Sequence, residues 1–251
     1  MLRSHCYWLL TEHLTKKFSL IFICFCQNIF KERLYYAALK APPPSHNILA
    51  STPRRNKSDP VVKKQIHFFN IDNELIYWNF FLDFGPLNLG QLMRFSNKLH
   101  DKLRKFPVVC FYSSTVPAKR ANAIFLICAW QMLYLNRTPE EAWAGFDTSA
   151  AASSAAESSP KKKENEASTS VSPSNCSLPP VSSSQGAVTI AALPPFHDAS
   201  PCACTYELSV LDCLHGMQHA RRCGFWDHET FDVEEYEHFE QVEVRIFLEA
   251  V

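Results

Sequence analysis

Glycine is scarce in this chain, with six residues in 251 against 16 prolines. A loop that cradles a phosphate with bare backbone amides draws on clustered glycines. A glycine-built phosphate site is therefore disfavoured, and the prolines point to rigid turns and linkers. An overall excess of charge is missing too, because 25 basic and 25 acidic side chains cancel. The longest apolar run near the start, Phe18 to Cys26, is about half the roughly 20 residues a membrane span needs. No Ala-x-Ala-like cleavage site follows it, so it reads as a buried strand or a misassigned start rather than a leader. With 47% apolar and 20% charged residues, the chain can bury a real core, and collagen-like, coiled-coil and wholly disordered classes are excluded.

The zero net charge conceals a split. Residues 1–147 carry 19 basic and 10 acidic side chains, whereas residues 186–251 carry 3 and 12. The two ends should attract each other or meet different partners. The ten cysteines, at 6, 24, 26, 110, 128, 176, 202, 204, 213 and 223, lack the dense framework of a small secreted domain. They are read as the reduced thiols of an intracellular protein. The basic stretch Pro53–Lys57 is either a nuclear-import patch or a solvated loop.

Residues 148–185 mark the clearest compositional boundary: 25 of 38 positions are Ser, Ala, Pro or Thr and none is aromatic. Such a segment cannot repay its ordering entropy, so it is expected to be a disordered insertion in a surface loop. Ala41–Lys64, rich in proline, is expected to be an exposed loop as well. Extended runs are predicted at His67–Ile71 and Leu75–Leu82, and a turn at Asp83–Pro86. A helix capped by Asn88 should follow, with Leu89, Leu92, Met93, Leu99 and Leu103 on one face. Val108–Tyr112 reads as a buried strand, and 119–135 as a central helix apolar nearly all round. Thr138-Pro139-Glu140-Glu141 is a capping-box start. Thr205–Cys223 reads as a helix closed by Gly224, and Asp232–Glu243 as an acidic helix begun by Asp232. The fold class is α/β, a partly parallel sheet covered by helices.

The strand–loop–helix at 108–135 has the topology in which cysteine phosphatases set a thiolate six residues before an arginine, at a helix N-terminus. Six positions after the ten cysteines stand Glu12, Phe30, Glu32, Val116, Tyr134, Ser182, Leu208, Val210, His219 and Glu229. No Cys-x5-Arg exists in this sequence. Counting back from Arg120, the nucleophile position holds Ser114, and the intervening Thr115–Lys119 contains no glycine. Ser114, Lys119 and Arg120 are thus at most a degenerate anion loop, and no catalytic residue is assigned. Cys202, Cys204, Cys213, Cys223, His215 and His219 lack paired C-x2-C knuckles, so no metal and no cofactor is expected.

The blocks ERLYYAAL (32–39), IDNELIYWNFFLDFGPLNL (71–89), KRANAIFLICAW (119–130), TPEEAW (138–143), CTYELSVLDCLHG (204–216) and GFWDHETFDVEEYEHFEQVE (224–243) carry a resemblance. Through them the chain resembles the N-terminal half of the cell-division-cycle-fourteen family of dual-specificity phosphatases, which act late in mitosis. The resemblance implies a domain folded like a dual-specificity phosphatase without its chemistry, spanning 29–147 and 186–243. That domain packs on a second, catalytic domain that carries the Cys-x5-Arg loop. It further implies partners that are phosphoproteins with Ser-Pro-x-Lys/Arg motifs, besides a separate catalytic domain or full-length family member; neither nucleic acid nor membrane is expected. Glu237 and Glu240 match the acids that line the family's substrate groove and attract the substrate's basic side chain. Residues 1–28 match nothing in the family, and 244–251 diverge where the catalytic domain would follow, so a truncated product is expected. The leading expectation is a non-catalytic substrate-recognition half; the rival is a scaffold or competitor that binds phosphoproteins or a full-length phosphatase without turnover. Thr52-Pro53-Arg54-Arg55 and Ser159-Pro160-Lys161-Lys162 fit proline-directed phosphorylation.

Overall fold

The computed structural model describes residues 23–43, 45–51, 63–146 and 192–240. Residues 1–22, Thr52, the basic stretch 53–57, the insertion 148–185 with Ser159, and the tail 244–251 lie outside the described residues.

Five strands form one mixed sheet: β1 (Ile23–Phe30), β2 (Leu34–Leu39), β3 (Asn47–Ser51), β4 (Lys63–Phe69) and β5 (Val108–Ser114), in the order β1-β2-β5-β4-β3. The centre is parallel, with β5 between β2 and β4, and each edge is an antiparallel pair. β1 turns into β2 through Lys31 and Glu32, whose φ values of 41° and 56° are left-handed, with the Arg33 amide donating to Phe30 O at 2.8 Å. Two positive φ values suit the twist of a tight hairpin.

Period-two alternation splits the strands between two apolar layers. Leu34, Tyr36, Phe69, Val109 and Phe111 join the helices in the larger one, while Tyr35, Ala37, Ile66, Phe68, Val108, Cys110 and Tyr112 form a second layer on the other face. Helix α1 (Leu89–Lys105) starts at Asn88, whose side chain accepts from the Gln91 amide in a full capping box, and it ends on Lys102, Arg104 and Lys105. Those cations suit the negative end of the helix dipole. Leu92, Phe95 and Leu99 are fully buried along its inner stripe. Helix α2 (Pro117–Tyr134) is buried at every position from Arg120 to Leu133, as its all-round apolarity predicts. Helix α3 (Pro139–Trp143) carries the Thr138 capping box. Helix α4 (Val210–Arg222) ends at Gly224, whose φ of 72° favours glycine. A last helix, α5, covers residues 233–240, its first amides at Glu234 and Glu235 bound by the Asp232 carboxylate.

Three expectations need correction. Leu75–Leu82 is irregular chain, not a strand. The Asp83 carboxylate takes the Phe80 amide at 3.0 Å, the Phe81 amide at 2.7 Å and the Tyr77 hydroxyl at 2.8 Å, so a side chain supplies what a neighbouring strand would. Ala41–Lys64 is not simply loop, because β3 and the start of β4 pair inside it, Ala50 opposite Lys64 and Ser51 opposite Lys63. Helix α4 begins at Val210 rather than Thr205, because Ser209 rather than Thr205 caps it, accepting from the Asp212 amide.

On β4, His67 is buried, stacks on Phe106 at 3.8 Å and lies 2.9 Å from Asn47 Oδ1 through Nδ1. Burial, with the charges of Lys102 and His46, pushes its imidazole down to about 4. The folded value lies below the unfolded one, so the stabilisation is complete above about pH 6.5 and drains away as pH falls toward 4. Melting measured at about pH 7.5 and about pH 5 should therefore show a smaller acid-induced drop in Tm for His67→Gln than for the unaltered chain. Equal drops would refute the assignment.

Candidate functional site

Two neighbourhoods hold the residues singled out by sequence. The first is the junction where β5 runs into α2. Ser114 closes the strand, but its Oγ is buried, and its backbone amide donates to Asp72 Oδ2 at 2.9 Å. A carboxylate thus occupies an amide that an incoming oxyanion would need. The α2 N-cap is Val116, which offers no side-chain hydrogen bond, and Pro117 has no amide proton to give. Arg120 is only 3% exposed and lies within electrostatic reach of Tyr36, whose phenol burial pushes far up despite a 2.6 Å hydrogen bond to Ser113 Oγ. Lys119 is exposed. Of the three residues assigned to the degenerate loop, only Lys119 projects freely into water.

Beside this junction lies an open cavity of about 420 Å³ lined by Asp72, Tyr77, Phe81, Asp83, Lys119 and Asn122. Its two carboxylates are set against one cation. Burial opposes the charge on Asp83, but the Phe81 amide, the Tyr77 hydroxyl and the Phe80 amide outweigh it and hold the carboxyl below its ordinary range. Two charged carboxylates would repel a phosphate there. The outer wall of the cavity continues into an apolar ridge in which Trp78 is 84% and Phe80 68% exposed, joined by Ile76, Phe81 and Leu82.

The second neighbourhood is α5 on the start of α1. Arg94 grips Glu237 with both nitrogens, Nε to Oε1 at 2.6 Å and Nη2 to Oε2 at 2.5 Å. That pairing holds the Glu237 carboxyl below its ordinary range. Asn88 does two jobs: its Oδ1 caps α1 and its Nδ2 donates to both Glu240 oxygens at 2.9 and 2.8 Å. Tyr236 lies over Gly90, where a Cβ would meet the ring at 3.1 Å, so the absence of a side chain lets the helix dock closely. Burial, with the neighbouring Glu240, pushes the Tyr236 phenol up to about 12.

The turn between the two neighbourhoods joins them. Asn122 of α2 donates to Phe84 O at 2.6 Å, four residues before Asn88. Gly85 is packed so tightly that a Cβ would come within 2.3 Å of Asn122 and 2.7 Å of Phe196. Asp72, Asp83 and Arg94 were not singled out by sequence, because isolated charged residues on loops and helix faces carry no spacing signal.

The chain matches the family described as dual specificity protein phosphatase, N-terminal half, over residues 28–155. It is 38% identical over 220 residues to dual specificity protein phosphatase CDC14A of Mus musculus, covering 86% of this chain and 27% of that protein. The human CDC14A is 37% identical over the same length, covering 86% of this chain and 28% of that protein. The tyrosine-protein phosphatase CDC14 homolog of Schizosaccharomyces pombe is 27% identical over 225 residues, covering 86% of this chain and 31% of that protein. The chain thus spans less than a third of the length of each of these relatives.

Proposed function

Because the chain belongs to the CDC14 family of dual-specificity protein phosphatases, as its N-terminal half, we propose that it recognises phosphoprotein substrates without hydrolysing them. In this reading Glu237 and Glu240 receive the basic residue of a phosphoserine-Pro-x-Lys/Arg segment. A separate catalytic domain or full-length family member supplies the chemistry, in the nucleus and cytoplasm. The domain extends over 29–147 and 186–243, interrupted by the insertion at 148–185. The degenerate loop of Ser114, Lys119 and Arg120 offers an anion only the exposed Lys119, which the neighbouring Asp72 and Asp83 oppose.

The observation that carries the reading is the charge on α5. Asp232, Glu234, Glu235, Glu237 and Glu240 crowd nine positions, and Arg94 offsets one of them. The Arg94–Glu237 pair is partly exposed, with side chains 52% and 29% accessible. Exposed pairs of this kind are worth about 1 kcal/mol or less, so a substrate lysine can compete for Glu237 while the remaining acids keep the field negative.

Calorimetric titration with a phosphoserine-Pro-x-Lys peptide tests this. Glu237→Lys should weaken binding by about tenfold or more, and Arg94→Ala should tighten it slightly, by about twofold to fivefold. The ridge of Ile76, Trp78, Phe80, Phe81 and Leu82 favours a second reading, in which the chain is a competitor that docks on a full-length family member. Peptide affinity unchanged by Glu237→Lys would overturn the first reading and leave the second.

A further inference from the structure

The loop between Phe196 and Leu208 belongs to neither neighbourhood. Its two ends are tied by a reciprocal bridge, Phe196 N to Leu208 O at 2.8 Å and Leu208 N to Phe196 O at 3.3 Å. Phe196 is buried at the root, with its ring 5.4 Å from Phe84 and 6.5 Å from Phe125. A loop closed at its base in this way holds its side chains in a fixed relation. Within it, His197, Asp198 and Cys204, all half-buried, each present a ligand atom, and the three atoms lie within 4.8 Å of one another.

We propose that His197, Asp198 and Cys204 form a binding site for a zinc-class divalent cation. The donors are one imidazole nitrogen, one carboxylate oxygen and one thiolate sulfur, the set that Zn2+ accepts at bond lengths of about 2.0–2.3 Å. Ligand atoms around such a tetrahedral centre stand about 3–4 Å apart, so a modest contraction of the loop completes the geometry. Cys204 gives up its thiol proton to solvent as the sulfur–metal bond forms. Thiolate and carboxylate then balance the two positive charges, and the fourth position is left to water.

The surroundings already orient these donors as outer-shell groups do in metal sites. His197 Nδ1 stands 2.6 Å from the Asp198 carbonyl oxygen and 3.3 Å from Asp198 Oδ1, which holds the imidazole beside the carboxylate. Asp198 Oδ1 accepts from Ser200 Oγ at 2.5 Å, and Oδ2 accepts from Thr205 Oγ1 at 3.2 Å. The Asp198 amide donates to Cys204 Sγ at 3.3 Å, and the Cys204 thiol donates to the Tyr206 carbonyl oxygen at 3.1 Å, so the sulfur is held beside Asp198. The remaining candidates from the sequence stay apart. Cys213 is half-buried within α4, with its thiol pushed up to about 11 by burial. Cys223 sits 3.6 Å from His219 where α4 ends.

The test uses the full chain, reduced and stripped of metal, titrated with Co2+ and then Zn2+. One equivalent of Co2+ should produce visible tetrahedral bands and a near-ultraviolet thiolate-to-cobalt charge-transfer band, both abolished by excess Zn2+. Cys204→Ser should remove the charge-transfer band, and His197→Gln should weaken Zn2+ binding by about tenfold or more. Zn2+ should raise the Tm of the unaltered chain and leave that of Cys204→Ser unmoved. The metal-free Tm of each variant, expected to equal that of the unaltered chain, shows that the fold is intact. Three results would overturn the proposal: no cobalt spectrum, a spectrum that survives both substitutions, or one lost instead in Cys223→Ser.

Discussion

Replacing Phe111 by alanine should cost the fold about 3–5 kcal/mol, the range for truncating a buried aromatic. Phe111 is 0% exposed on β5, the strand at the middle of the sheet. Its ring lies 4.8 Å from Phe95 of α1, 5.3 Å from Phe69 of β4 and 5.6 Å from Tyr36 of β2. Three elements distant in sequence meet on this one side chain, so a cavity there loosens all of them. Natural domains hold about 5–15 kcal/mol in total. The variant should therefore unfold at a much lower urea midpoint, or fail to accumulate as soluble protein. Val116→Ala, at a half-exposed position, should shift the midpoint by no more than about 0.5 kcal/mol. A loss below about 1 kcal/mol for Phe111→Ala would show that the sheet does not depend on this cluster.

Neither the chain nor its Ser114→Cys variant should hydrolyse p-nitrophenyl phosphate above background. The missing thiol is the smaller part of the obstacle. A cysteine at position 114 would sit where the Ser114 hydroxyl is buried and where the Asp72 carboxylate holds the backbone amide. Burial and a neighbouring negative charge both disfavour the thiolate that would have to attack phosphorus. Val116 and Pro117 then deny the departing charge the ring of amides that stabilises a phosphoryl transition state. Steady-state assays with vanadate as inhibitor decide the matter. Vanadate-sensitive turnover that disappears in Ser114→Ala would mean that the loop is an active site after all.

Elements fixed by local chemistry were legible in the sequence. Asn88, Thr138 and Asp232 cap helices as their residue types require, and Gly224 closes α4. The unbroken apolarity of α2 announced its central place. The misses share a cause, a partner remote in the chain or hidden by composition. β2 is buried at all six positions, so LYYAAL shows no alternation and carries only the family resemblance. The aromatic stretch 75–82 has strand-like residues, but Asp83 claims its amides. β3 hides between prolines.

Of the site, the family resemblance singled out Glu237 and Glu240. Their holders, Arg94 and Asn88, stand more than 140 positions away in the chain; Asn88 is legible as a helix cap, but no local pattern ties it or Arg94 to these acids. The His197–Cys204 cluster was missed for a related reason. Cysteine spacing groups Cys204 with Cys202, Cys213 and Cys223 and speaks against a metal, whereas the structure brings Cys204 near a histidine and an aspartate before it.

Phe146 and Phe196 are each 2% exposed and belong to the same apolar core, yet residues 147–195 stand between them in the chain. Both anchors are set by packing, not by the covalent path that links them. A protease nick within 147–191 would therefore leave two fragments that share one interior, able to stay together or reassemble when mixed. Halving the intervening length would change the closure entropy by only about 0.6 kcal/mol. The domain is in this sense a split protein that happens to be joined, open to insertion, tagging or circular rearrangement between Phe146 and Phe196.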